Sequence, residues 1–197
     1  LDAKPIADPL GMLDCCLISD AGGAFIVTSA ERARDLKAKP VYVQGIGEHH
    51  THEHLMCAPS LTEFGATQSG RLAYEMAGLS PRDIDVAQLY DCFTIVPIIE
   101  LEELGFCSPG EGGAFFADGH ARTGGKLPVN THGGMLAHAH AGAAGGLFGL
   151  DEAVAQLRGG IGERQAHYPE AALVPIQGGS FSPPCTALLA NDSRTAA

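Results

Sequence analysis

The sequence predicts an α/β fold: a mainly parallel sheet with an antiparallel pair at its end, mixed and five-stranded overall, layered with helices. Three observations carry this. Short β-prone runs alternate with helix-period segments along most of the chain. Two strand-like runs, residues 172–176 and 186–190, follow one another directly near the end. A helix reading Leu147, Leu150, Val154, Leu157 is led by a run of Gly and Ala, so its opening turns cannot fill a core themselves and must let another backbone come close.

The elements follow in order. Residues 1–20 read as a connecting segment that enters a fold midway, the main domain runs over 21–191, and 192–197 form a small, polar, flexible tail. Residues 24–28 are β-prone, and Ser29 caps a charged helix over 30–36 that Pro40 stops. A strand is predicted over 41–46. Residues 48–63 form a long histidine-rich loop, a length often tied to function. An amphipathic helix over 67–77 ends at Gly78. A buried strand spans 86–90, and an apolar-periodic helix spans 93–104 and stops at Gly105. The Gly-rich stretch 106–127 reads as a covering loop. The Gly-led helix covers 147–158, and the two closing strands complete the chain.

Composition narrows the function. The 197 residues are 45% hydrophobic and 18% charged, with a formal net charge of −11. This suits a well-buried globular protein. The 12 Lys and Arg form no run, which argues against a nucleic-acid partner. Anionic groups can still be held by a few basic side chains and helix N-termini. The six cysteines show no CxxC spacing, so a reducing, cytoplasmic setting is expected rather than a disulfide framework. No secretory signal or membrane-spanning run is expected.

The chemistry concentrates between Asn130 and Gly146, where His132, His138 and His140 precede the run of small residues. An imidazole held there can polarise an acyl oxygen or move a proton near neutral pH. Tyr90, at the end of a predicted strand, stands where ligands gather in α/β sheets. Asp91 is expected to cap the helix that follows it, and Cys92 to be a small buried packing residue. His49, His50, His52, His54 and Cys57 lack metal-ligand spacing, so a substrate-loop role is expected and no metal. His132 is read as bonding locally or contacting substrate, with Gly133 and Gly134 allowing tight backbone approach.

These residues carry a resemblance. Tyr90-Asp91-Cys92-Phe93, the run Leu127-Pro128-Val129-Asn130-Thr131-His132-Gly133-Gly134, and His140 followed by small residues resemble the C-terminal half of thiolases, nearest the sterol-carrier or lipid-transfer branch. The resemblance implies a βαβαβαββ half-domain completed by a second half or a partner chain. The function it implies is making or breaking a carbon–carbon bond on an acyl-CoA thioester, of the acetyl-CoA C-acyltransferase type. The alternatives are a retro-aldolase on a β-hydroxyacyl-CoA such as a steroid side chain, or a non-catalytic scaffold that binds acyl-CoA or lipid.

His140 matches the histidine of the family's Gly-His-Pro motif and Tyr90 an oxyanion-hole position. Gly178 matches a glycine whose N–H serves a second oxyanion. His52, His54, Phe64, Asp91, Cys92, His132 and Gly179 would contact substrate. The nucleophilic cysteine of thiolases lies in the N-terminal half, so a chain of this half is expected to be inactive alone. Ile176 stands where typical thiolases carry an acid/base cysteine. Coenzyme A thioester is the implied substrate, with no covalent cofactor. Expected partners are the N-terminal half or a companion chain, in a homodimer or hetero-oligomer that can include a zinc-ribbon/OB-fold protein.

Overall fold

The computed structural model describes residues 3–179 and 181–192. A short hairpin, β1 (Pro5–Ala7) and β2 (Leu10–Gly11), opens the chain, and α1 (Ala30–Arg34) follows, capped by the Ser29 side chain as predicted. The main sheet is built from β3 (Tyr42–Glu48), β4 (Val86–Ala87), β5 (Ala171–Gln177) and β6 (Pro184–Ala190). Its order is β3-β6-β5-β4, with β4 parallel to β5 and the other two pairings antiparallel. The helices are α2 (Ala66–Ala77), α3 (Ile95–Glu103), α4 (Gly112–Ala117), α5 (Gly134–Ala137) and α6 (Gly145–Arg158).

Both faces of the sheet are covered. Along β5, Ala171 and Leu173 join Ala73, Tyr74, Leu101 and Phe115 on one side, while Ala172 and Val174 join Ala153 and Leu157 of α6 on the other. This period-two division is what a strand buried on both faces requires. Two glycines of β3 set the approach of α2: a Cβ at Gly45 or Gly47 would overlap the Ala73 or Ser69 carbonyl oxygen.

The structure corrects several expectations. Residues 24–28 form no strand: they lie outside any ladder with Ile26 and Val27 exposed, so the main sheet has four strands among the described residues. A β-prone run without a neighbour to donate to gains nothing from extension. The strand predicted over 86–90 stops at Ala87, and the covering loop over 106–127 contains α4. The glycine side of α6 is not left open. Gly146 sits against Ile176 and Gly149 against Gln88 and Val174, so the close approach it permits is to β4–β5 of the same chain. The exposed apolar chain lies instead at Met12, Leu13, Ile18, Ile26 and Val27. The predicted tail falls mostly outside the described residues, which end at Asp192.

Candidate active site

Tyr90 and His140 meet at the C-terminal end of the β4 segment. The phenol oxygen lies 3.1 Å from His140 Nε2, with the rings edge-to-face at 80°. Each comes from a segment fixed by several independent contacts. The Tyr90 peptide N–H donates to Glu100 Oε2 at 2.8 Å. The ring packs in a cluster of Cys92, Val96, Met135, Cys16, Phe93 and Phe181. His140 follows α5, and its carbonyl accepts the Ser19 N–H at 3.1 Å. The segment 15–19 is therefore laid along the site, with Cys16 N–H on Cys92 O and Leu17 N–H on Met135 O. Gly145, at the start of α6, lies so close to the imidazole that a Cβ there would come within 3.0 Å of His140 Cδ2. That contact explains why the helix opens with glycine.

Burial raises the Tyr90 phenol to about 12, with nearby Cys92, Cys16, Glu100 and Asp91 adding to it. The phenol is therefore neutral at ordinary pH. Burial likewise pushes the Cys92 thiol up to about 12 and raises Cys16. Neither has the thiolate character of a nucleophile, and Cys92 is the packing residue the sequence suggested.

Asp91 does not cap the helix after it. Its Oδ1 accepts the Met135 N–H at 2.6 Å, at the start of α5. A Cβ on Gly134 (φ +64°) would collide with the same carboxylate, so the glycine pair shapes a cradle for Asp91. Burial raises the Asp91 carboxyl, while hydrogen bonds from Met135 N–H, the Asn130 side chain and Leu136 N–H oppose that rise. These bonds tie it to the histidine loop.

A cavity of about 10 Å³, the space one water needs, lies between Gln88, Tyr90, Asp91, His132 and the glycines of α6. His132 Nδ1 pairs with Gln88 Oε1 at 3.2 Å, and burial lowers its pKa. Behind it runs a network the sequence did not reveal. The Thr131 hydroxyl donates to Glu152 Oε1 at 2.7 Å. Gln156 Nε2 donates to Thr131 Oγ1, Glu152 Oε1 and the Arg164 carbonyl. Arg164 Nε contacts both Glu152 oxygens at 3.2 Å.

Other expected site residues are placed elsewhere. Gly178 donates its N–H to Pro183 O at 2.9 Å, so this turn already uses the N–H meant for an oxyanion. Gly179 is exposed beside it, at φ +40°. Phe64 is buried and stacks on Phe181 with centroids 4.9 Å apart. His54 caps a short 3-10 turn through Met56 N–H, and His52 pairs with Thr51. Neither lines the Tyr90 cavity. Among the described residues no group of three His, Cys, Asp or Glu could hold a metal, and no helix is long and apolar enough to cross a membrane.

The residue that sequence reasoning missed is Glu100. It is fully buried and bonds both the Tyr90 N–H and the Gln177 side chain. The signal was present: Val96, Glu100 and Glu103 recur at helical spacing on a helix with apolar periodicity.

Residues 47–191 match the family described as "Thiolase C-terminal domain-like". The 17-hydroxy-3-oxo-4-pregnene-20-carboxyl-CoA lyase of Mycobacterium tuberculosis is 44% identical over 165 residues, covering 80% of this chain and 42% of the lyase. The acetyl-CoA acetyltransferase of Methanothermobacter thermautotrophicus is 39% identical over 181 residues, covering 91% and 47%. A solved structure described as "Ltp2-ChsH2(DUF35) aldolase" superposes with a TM-score of 0.83 at 35% identity, covering 98% of this chain and 50% of that one. The chain thus spans about half the length of the curated relatives it matches. With three quarters of its length inside the family's bounds, the chain belongs to the thiolase C-terminal domain-like family.

Proposed function

We propose that this chain supplies the acid/base half of an enzyme that cleaves a carbon–carbon bond in a β-hydroxyacyl-CoA thioester, in the retro-aldol direction. The observation that carries the reading is the 3.1 Å contact between the Tyr90 phenol and His140 Nε2. A neutral phenol backed by an imidazole can take the proton of a substrate hydroxyl while passing its own to Nε2. As that O–H is lost, the Cα–Cβ bond breaks. Its electron pair moves onto the thioester, giving an enolate and a free carbonyl product. The proton on His140 returns through Tyr90 to the enolate carbon, so no net proton is gained or lost. The similar lyase and aldolase support this direction, as does the unreactive state of Cys16 and Cys92.

Acyl transfer of the thiolase type is the second reading, favoured by the similar acetyltransferase. It needs a nucleophilic cysteine from a companion half. On either reading the substrate is a coenzyme A thioester. The working enzyme is completed by the thiolase N-terminal half or a companion chain, and in the aldolase form by a zinc-ribbon/OB-fold protein. The chain alone is inactive.

Turnover of 17-hydroxy-3-oxo-4-pregnene-20-carboxyl-CoA by the assembled enzyme tests the proposal. Tyr90→Phe should reduce kcat by about 10²–10⁴-fold. A stable acyl-enzyme formed from acetyl-CoA, with no cleavage of the hydroxy thioester, would move the assignment to acyl transfer.

A further inference from the structure

The buried carboxyl beneath the site has a geometry that no part of the proton transfer uses. Glu100 is completely enclosed on α3, a helix whose neighbouring side chains Val96, Ile99 and Leu101 are core. Its two oxygens reach in different directions. Oε2 accepts the peptide N–H of Tyr90 at 2.8 Å, and Oε1 lies 3.0 Å from Gln177 Nε2. Gln177 is itself buried and ends β5, so the turn through Gly178, Phe181 and Pro183 begins there. Phe181 of that turn packs back on the Tyr90–Cys92 cluster. The carboxyl thus spans the gap between the segment that carries the phenol and the turn whose Phe181 packs on the same cluster. Enclosing a carboxyl costs free energy unless its oxygens are partnered. A Leu or Met would fill the space more cheaply if packing were all that mattered.

We propose that Glu100 is a positioning residue: its carboxyl ties the Tyr90 peptide to the Gln177 side chain, and so holds the phenol on His140 and the Gly178–Pro183 turn at a fixed distance from it. The inference rests on the Tyr90–His140 reading of function and adds a residue that never touches substrate. The tie works with a neutral carboxyl. Its carbonyl oxygen accepts from Tyr90, and, with the Gln177 amide turned by 180° about its last bond, its hydroxyl donates to the Gln177 amide oxygen, an atom that has no partner in the opposite orientation. Burial raises the Glu100 pKa, as do the facing carboxylates of Glu103 and Asp91, in keeping with that form. A glutamine at position 100 can make the same two bonds, its Oε1 accepting from Tyr90 and its Nε2 donating to Gln177. A leucine can make neither.

The test uses the assembled enzyme with 17-hydroxy-3-oxo-4-pregnene-20-carboxyl-CoA and acetyl-CoA as probes. Glu100→Leu should lower kcat by about 10²-fold with KM little changed, since a misplacement of about 1 Å costs that much. Glu100→Gln should stay close to wild type. Gln177→Leu breaks the same tie from its other end and should copy Glu100→Leu, and it carries the test if that variant fails to fold. Crystal structures of the variants give a readout independent of turnover: the Tyr90–His140 contact should lengthen in Gln177→Leu and persist in Glu100→Gln. The proposal is overturned if both leucine variants keep wild-type kcat, or if Glu100→Gln falls as far as Glu100→Leu. Should the wild type act on neither probe, the functional reading fails, and the crystallographic distances alone decide the role of Glu100.

Discussion

Tyr90 and His140 are 50 positions apart and touch because separate segments deliver them. The sequence reading named both, the imidazole as one of three histidines before a small-residue run and the phenol at a strand end, and resemblance singled out the pair. Spacing alone could not foresee that Asp91 would hold the α5 loop, or that Gly178 would spend its N–H on Pro183. Glu100 escaped notice because a glutamate within a Glu-rich helix end normally faces water. Its burial makes a pH prediction. In the unfolded chain it titrates near pH 4.3, as an ordinary glutamate, and in the folded chain well above the usual range. A raised native pKa means that the stability it contributes is fully present below the unfolded value and is lost as pH rises, because the unfolded state releases the proton first. Asp91 and Glu103 are raised too and act in the same sense. Glu100→Gln removes its share, so urea midpoints of the variant should fall less than those of wild type between about pH 5 and about pH 8. Parallel curves would show that Glu100 does not titrate in that window.

At the scale of elements, the legible features were those with a repeated physical cause. The period-3.6 stripe of α2, the paired strands β5 and β6 and the Gly-led α6 all lie close to where the pattern put them. The strand at 24–28 failed because pairing is a tertiary fact: composition supplied β propensity, but no neighbouring strand was there to be paired with. The glycines divide in the same way. A Cβ at Gly146 would lie 2.7 Å from Ile176 Cγ2, whereas one at Gly22 would meet nothing within 4 Å. Gly146→Val should therefore destabilise by about 1–3 kcal/mol through overpacking at the α6–β5 contact, and Ile176→Ala in the same chain should restore part of the loss. Gly22→Ala should be nearly neutral. Chemical denaturation reads all of these, and equal midpoints for Gly146→Val and wild type would refute the packing account of the glycine-led helix.

For the molecule as a whole, the sheet is covered on both faces, yet Met12, Leu13, Ile18, Ile26 and Val27 stand exposed on the segment that crosses the site. Exposed apolar chain of this extent marks an interaction surface. The account predicts that residues 1–197 on their own self-associate, and that Ile18→Asp with Ile26→Asp shifts them to monomer in sedimentation velocity. Monomeric wild type at high concentration would remove the interface. The central claim is narrower: the phenol and the imidazole act as one unit. It is tested most directly by a double-mutant cycle on cleavage of 17-hydroxy-3-oxo-4-pregnene-20-carboxyl-CoA by the assembled enzyme, using Tyr90→Phe, His140→Ala and the pair together. Groups that share one proton transfer are strongly non-additive. The double variant should be no slower than the slower single variant. Losses that multiply would mean that the two side chains act separately, and would contradict the account.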